Sequence, residues 1–526
     1  MILGPAANGT EVSDNVERTT LDDLFRRAGV RRPDAIALVD PQNRESFTDG
    51  SPRCLTFAEA DRVVSAIAGR LRQLNLPTDS IVGLQMPNTV ECILTLLGVI
   101  RAGLIPSLLP LLWRQKDAVA ALSLVDAKAL ITCARVGREN HCELAMQIAA
   151  EVFTIRQVCV FGSISTDGVS PFDELFTARN IDPLPPIERA GNPADHVAVI
   201  TWDAGTEGII PIARTHSELL TGGFAPLTEA GLAQDATILS TLAPSSFAGL
   251  ALSVVPWLIT GGTLVLHHAF NPTVFKAQCE QYRCTAAIVP GPLLARFIDA
   301  QIFDVNCGLK TVLAAWRTPE RLVITPTWRK EAITLVDVQA FGEIGLVSAR
   351  RNDDGQPASI VTGRLTAPRG APDAVIIAEI ERTANGRLAM RGPMAPHYPF
   401  PPGIERTVAP CLQIDADGFV DTGYSCRLNR DNEILTITRP PPGMVSVGGY
   451  RFCLNELQNI VTQIADGSTL VALPDTLSGY RLAGTAEDRT SMRQELIRLG
   501  LNPLVVAAFR ERQATVSRTT DRANAA

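Results

Sequence analysis

Six short apolar runs with β-branched residues, over 81–84, 129–132, 197–201, 263–266, 286–289 and 311–313, recur along this chain with helical patterns between them. Neighbouring parallel strands need a connection long enough to hold a helix, so alternation sustained this far argues for parallel sheets with crossover helices. The fold class read from the sequence is therefore α/β. At 526 residues the chain exceeds what one compact core accommodates, and two or more folding units are expected.

Helices are clearest near the start. Apolar residues fall at helical spacing over 58–74, with Thr56 as N-cap and Glu59, three residues on, completing a capping box. A second apolar helix over 89–102 ends at Gly103 and is expected to pack inside. The run Arg439-Pro440-Pro441-Pro442-Gly443 breaks regular structure and separates stretches of different pattern. It divides the chain into a large multi-sheet N-terminal domain, 1–438, and a small α+β C-terminal domain, 439–515. The small domain is expected to hold a strand over 444–447 and helices over 455–464 and 491–499. A polar tail, 516–526, is expected to be disordered.

Charge narrows the partners. The formal charge is −7 and no basic block follows a phosphate backbone, which excludes nucleic acid as an expected partner. The lysines are Lys116, Lys128, Lys276, Lys310 and Lys330, and every other basic side chain is arginine. Eleven cysteines without a C-x-x-C pair read as reduced, mostly buried thiols. The segment MILGPAANGTEVSDNVERTTLDDL lacks the basic and apolar blocks of a secretory signal, so a cytoplasmic location is expected. The stretch 236–275 carries no Asp, Glu, Lys or Arg, but Pro244, Pro256 and Gly261-Gly262 interrupt it. It reads as a buried helix leading into a strand rather than a membrane span. Neighbouring residues of a strand face opposite sides, so His267-His268 is not a metal pair.

The segment TWDAGTEGIIPIARTH follows the apolar run ending at Thr201 and precedes a helix beginning near His216. Gly205, Thr206 and Gly208 could let backbone N–H groups converge on a phosphate, because glycine permits close approach and unusual dihedrals. The same spacing also describes an ordinary glycine-containing turn. His216 reads as a structural residue at a helix start rather than a catalytic base.

In context this segment resembles the phosphate-binding loop of the adenylate-forming superfamily of acyl-CoA synthetases, luciferases and nonribosomal-peptide adenylation domains, including the Thr215-His216 pair that closes it. Other segments follow in that superfamily's order. CLTFAEADRVVSAIAGRL and LQMPNTVECILTLLGVIRAGLIP resemble its N-terminal helices, QAFGEIG its adenine and magnesium motif, and GRLAMRGPM its hairpin. DGFVDTGYSCRL resembles the ribose motif, and RPPPGMVSVGGYRFCLNELQ the hinge and first element of the mobile C-terminal domain.

The resemblance implies a large domain with sheets flanked by helices and a small domain that rotates between adenylation and thioester formation. It implies ATP and Mg²⁺ as cofactors, a carboxylic acid as substrate, a CoA or phosphopantetheine thiol as acceptor, and an acyl carrier protein as a partner. Carried over residue by residue, it marks Gly205, Thr206, Gly208, Phe341, Gly342 and Tyr424 as nucleotide-binding. Glu343 becomes the Mg²⁺ ligand and, with Arg439, a catalytic residue. Ser246, Gly249 and Trp316 become substrate-binding, with Trp316 standing where relatives carry small residues beside the adenine and reading equally as a core residue.

The departures weaken ATP binding in this reading. Asp203 and Ala204 stand where the loop usually offers hydroxyls, no Lys follows Gly208, and a carboxylate beside a triphosphate adds like-charge repulsion. The usual Thr-Gly-Asp of the ribose motif reads Thr422-Gly423-Tyr424, and a phenol cannot accept from both ribose hydroxyls as a carboxylate does. No lysine follows Lys330, although the family stabilises the transition state with a C-terminal Lys. Arg451, Arg510 and Arg512 are the candidate substitutes, with a planar head group of different geometry. Two functions follow: an acid–thiol ligase with impaired adenylation, or a non-catalytic homologue that binds an acyl ligand, a nucleotide or a carrier protein.

Overall fold

A computed structural model describes residues 18–510, except 165, 179–183, 186, 188, 304–307, 325–326, 331, 370–373, 401–409, 430 and 432. The tail 516–526, Arg512 and the first seventeen residues lie outside the described residues.

Strand-length apolar runs pair side by side into two large sheets. One is seven-stranded, with Ile105–Leu108, Ile81–Gln85, Ala129–Cys133 and Gln157–Phe161 in parallel at its centre. The other is eight-stranded, with Thr263–Leu266, Thr237–Ser240, Ala286–Pro290, Thr311–Trp316 and Thr334–Phe341 in parallel register. All six runs read from the sequence are strands. Each edge near the site is closed by an antiparallel strand, Gly208–Thr215 on one sheet and Gly345–Arg350 on the other.

Helices cover the faces between these sheets. Helix Phe57–Arg72 starts at the Thr56/Glu59 capping box. Helix Val90–Arg101 is buried along its whole length, as an all-round apolar helix must be. The charge-free stretch forms the helical run from Phe247 to Thr260, with a π-helical turn at Leu250–Val254, and no described helix is long and apolar enough to cross a membrane. Side chains from both sheets and these helices, among them Leu84, Ile131, Ile238, Leu264, Val255 and Trp257, form one continuous core.

A six-stranded antiparallel sheet follows, carrying Arg387–Arg391, Val420–Asn429 and Ile434–Arg439. Beyond the prolines the chain forms a four-stranded sheet, Tyr450–Cys453, Met444–Val447, Gly479–Thr485 and Thr469–Asp475, with helices Leu454–Ile464 and Arg489–Arg498. This α+β unit has its own core around Val447, Val461, Leu482, Leu496 and Phe509.

Two helix glycines separate space from propensity. A Cβ on Gly98 would lie 2.6 Å from Ile67 Cγ2, whereas one on Gly69 would meet only Leu184, at 3.9 Å. Gly69→Ala is expected to be neutral or to stabilise by up to about 1 kcal/mol through helix propensity. Gly98→Ala is expected to destabilise by about 1–2 kcal/mol net, because overpacking costs about 1–3 kcal/mol. Urea unfolding of the two variants checks the contrast, and equal effects would contradict it.

Candidate functional site

Three turns converge where the two domains meet. The strand Val197–Gly205 pairs antiparallel with Gly208–Thr215, register Asp203↔Ile210 and Gly205↔Gly208, across the two-residue turn Thr206-Glu207. The expected phosphate nest is thus the tip of a hairpin. The apolar run Ile209-Ile210-Pro211-Ile212 continues as strand instead of yielding to a loop, and the helix His216–Ala230 begins after it at a Thr215/Glu218 capping box. Thr206 is exposed, and Gly205, Thr206 and Gly208 do not line the cavity described below. His216 is buried and accepts from the Leu21 N–H at 3.2 Å, and burial lowers its ring to about 3. It is structural, in line with its reading.

Asp203, just inside the hairpin, is the residue that reaches the site. Strand Thr334–Phe341 delivers Phe341, then Gly342 turns with φ +59°, and a Cβ there would lie 2.2 Å from Asp203 Oδ2 and 2.8 Å from Arg451 Nη1. Only glycine admits that approach. The Glu343 N–H donates to Asp203 Oδ2 at 3.0 Å. Glu343 Oε2 accepts from the Phe247 N–H at 2.5 Å. Burial pushes the Glu343 carboxyl up from 4.5 to about 7, against the pull of Arg317 and the Phe247 N–H. Beneath this turn Arg214, fully buried, donates to the carbonyls of Met394, Glu343 and Ile344 and lies 3.7 Å over the Phe247 ring.

The small domain supplies the third turn. Gly448 and Gly449, with φ +56° and +89°, reverse the chain between Met444–Val447 and Tyr450–Cys453. Arg451 then reaches into the large domain. Its guanidinium donates to Asp203 Oδ1 at 2.8 Å and to the Tyr424 hydroxyl at 2.9 Å. Burial opposes its charge, yet Asp203, Tyr424 and Glu343 together hold the guanidinium above its ordinary value. Tyr424 is 1% exposed, packs edge-on against Phe341, and has its phenol pushed up by burial. Docking is reinforced where Arg317 donates to the Gly449 carbonyl at 2.7 Å, Leu112 N–H donates to the Tyr450 hydroxyl at 3.3 Å, and Lys116 pairs with Glu456 at 2.7 Å.

Between the domains lies a cavity of about 380 Å³. Its walls include Trp113, Trp202, Leu242, Pro290 and Ala315, and its charged lining is Asp203, Glu343, Arg317 and Arg451. Ser246 lines it and hydrogen-bonds Arg317 through Oγ.

Like Gly205, Thr206 and Gly208, three more expected site residues stand outside the cavity. Trp316 alternates with Ala315 on strand Thr311–Trp316, so it faces the opposite side of the sheet, where its indole donates to Asp337 at 2.8 Å and packs on Gly291. It belongs to the core, 2% exposed, and not to the pocket. Gly249 lies in the helical turn behind Ser246, where a Cβ would meet the Ala243 carbonyl at 2.0 Å; its role is close packing. Arg439 ends strand Ile434–Arg439, exposed beside Arg382 and Arg427 and outside the cavity. Among the candidate cations Arg451 occupies the site, whereas Arg510 borders a separate groove with Arg114 and Arg493.

Sequence reading had missed Arg214, Trp113 and Trp202. Arg214 left one legible sign, a charge interrupting an apolar strand; the tryptophans left none.

A model of the AMP-binding enzyme family matches residues 25–338. The chain belongs to that family. It is 27% identical over 493 residues to the 2-hydroxy-7-methoxy-5-methyl-1-naphthoate–CoA ligase of Streptomyces carzinostaticus, covering 89% of this chain and 83% of that one. To the salicyl-AMP ligase / salicyl-S-ArCP synthetase of Mycobacterium tuberculosis it is 24% identical over 485 residues, 88% and 80% of the two chains. The amide bond synthetase McbA from Marinactinospora thermotolerans shares the fold, with a TM-score of 0.68 at 18% identity over 93% of this chain and 94% of that one.

Membership of the AMP-binding enzymes implies ATP, typically with Mg²⁺, and acid–thiol ligase-like chemistry. The residues of this chain do not fit a nucleoside triphosphate in the docked arrangement. The segment that resembles the phosphate loop carries the Asp203 carboxylate, the Tyr424 hydroxyl is engaged by Arg451, and Arg451 itself packs against Gly342. Glu343 remains the carboxylate of the magnesium motif, and no group of three or more His, Cys, Asp or Glu side chains that could hold a metal exists among the described residues.

Asp203 and Arg451 are expected to behave as one unit. Asp203→Ala leaves a buried guanidinium unpaired and is expected to cost about 3–5 kcal/mol, whereas Asp203→Ala combined with Arg451→Met recovers much of that loss. Chemical unfolding of the four members of this cycle measures the coupling, and additive effects would refute it. Glu343 adds a pH signature. Its folded carboxyl keeps a proton that the unfolded chain releases between about pH 4.5 and 7, so its contribution to stability is present below pH 4.5 and lost as pH rises to about 7. Glu343→Gln is therefore expected to gain stability relative to the parent across that window and to run parallel to it on either side. A constant difference at all pH values would show that Glu343 titrates normally.

Proposed function

We propose that this chain is an acid–thiol ligase-like protein that holds an aryl or acyl carboxylic acid in the interdomain cavity, with its ATP-dependent adenylation step impaired. One observation carries this reading. Arg451, Asp203 and Tyr424, each a departure from or substitute for the usual nucleotide contacts, bond to one another, so that the Asp203 carboxylate and the Tyr424 hydroxyl are engaged by the guanidinium. Each contact withdrawn from a transition state removes on the order of 1–3 kcal/mol, and each 1.4 kcal/mol is about tenfold in rate. Such losses do not add when residues act together, but several of them span decades. Aryl acids are supported by the flat walls of Trp113 and Trp202 and by the names of the two similar ligases, which join naphthoate to CoA and salicyl to ArCP. A CoA thiol or a carrier-protein phosphopantetheine is the acceptor in this reading, with an acyl carrier protein as partner.

The second reading, a non-catalytic homologue that binds an acyl or nucleotide ligand or a carrier protein, is favoured by Arg439, which stands exposed and away from the cavity.

Pyrophosphate exchange over a panel of aliphatic and aromatic acids separates full from impaired adenylation. Exchange is expected to stay near background for every acid, and robust acid-dependent exchange would defeat the impairment. Calorimetric titration with ATP·Mg²⁺ is expected to give binding weaker than about micromolar, since the ribose and phosphate contacts are spent within the protein.

A further inference from the structure

The charges lining the cavity do not cancel. Arg451 and Asp203 form an ion pair at 2.8 Å. Glu343 is turned to the Phe247 N–H, from which its Oε2 accepts at 2.5 Å. Arg317 remains. It follows strand Thr311–Trp316 and lines the cavity, and among the described residues its side chain bonds the Gly449 carbonyl, at 2.7 Å, and the Ser246 hydroxyl. Both partners are uncharged. Arg317 lowers the Glu343 carboxyl against burial, but among the described residues no carboxylate stands within ion-pair distance of it. A guanidinium offers five N–H donors in a planar fork, so donors remain after these two contacts.

A partly enclosed cation with no carboxylate in ion-pair distance among the described residues, in a cavity that Trp113 and Trp202 also line, is matched by an anion with an apolar body. Carboxylate oxygens accept from such a fork in parallel, which adds both strength and orientation. We infer that Arg317 is the seat of the ligand's carboxylate, and that the cavity binds aromatic carboxylates as free anions without a nucleotide. The inference rests on the proposed reading that the cavity holds a carboxylic acid. It goes further by naming the residue that selects the anion. Ser246 Oγ and the Gly449 carbonyl orient the fork, so the seat is assembled only when the small domain is docked.

The test uses the full chain without ATP and two matched pairs of probes: 2-naphthoate with 2-naphthamide, and octanoate with octanamide. Binding is read by calorimetry and by the fluorescence of Trp113 and Trp202, both in the cavity wall. Naphthoate is expected to bind roughly tenfold or more tightly than naphthamide, a difference a charged hydrogen bond supplies. Arg317→Ala is expected to lower naphthoate affinity to that of naphthamide and so erase that preference. Arg317→Lys, which keeps the charge but not the fork, is expected to fall between. Naphthoate binding that survives Arg317→Ala, or equal affinity for acid and amide, would overturn the inference while leaving the acid-binding reading intact. Failure of both acids to bind would overturn both.

Discussion

The contact between Arg451 and Asp203 is the constraint on which the docked structure depends. A guanidinium cannot be taken from water without a partner, and a carboxylate at the base of a hairpin cannot either. Each makes the other's burial tolerable, and because they come from different domains the pair ties the domains together. Its geometry requires glycine at 342, where any side chain would occupy the space of both charged groups. It also requires the Gly448-Gly449 reversal, which aims the following arginine into the large domain.

Around this pair the unusual residues make sense as a set. A carboxylate in the segment that resembles a phosphate loop and a phenol in the one that resembles a ribose motif are each unfavourable for a bound nucleotide, and an arginine differs in geometry from the lysine it would replace. Placed together, they satisfy one another at 2.8 and 2.9 Å. Arg214 supports the same region from below by gathering three backbone carbonyls of the turns that carry Glu343 and Met394. What is left unsatisfied is Arg317, and the cavity's chemistry follows from that remainder.

Much of the fold was legible because it depends on local pattern. Six apolar runs became strands, Thr56 and Glu59 formed their capping box, and Val90–Arg101 was buried throughout, since period and capping act within a few residues. The site was less legible. Trp316 and Ala315 are neighbours, and which of them faces the cavity depends on the side of the sheet that the small domain covers, a relation between elements far apart in the chain. The expected nest at Gly205, Thr206 and Gly208 became a hairpin tip because the β-branched residues after it found a partner strand in Val197–Gly205. Gly249 and Arg439 carried family patterns, but their packing placed one behind the cavity and the other on an exposed strand end.

By itself the sequence determined an α/β fold, a break at the prolines, the order of motifs and the absence of any lysine after Lys330, because each is a property of nearby residues or of composition. Tertiary structure alone decided that Asp203, Tyr424 and Arg451 would meet, and that among the described residues Arg317 would have no carboxylate within ion-pair distance. Coulombic pairing depends on distance and burial in space, and residues 248 positions apart carry no local mark of the contact they will make.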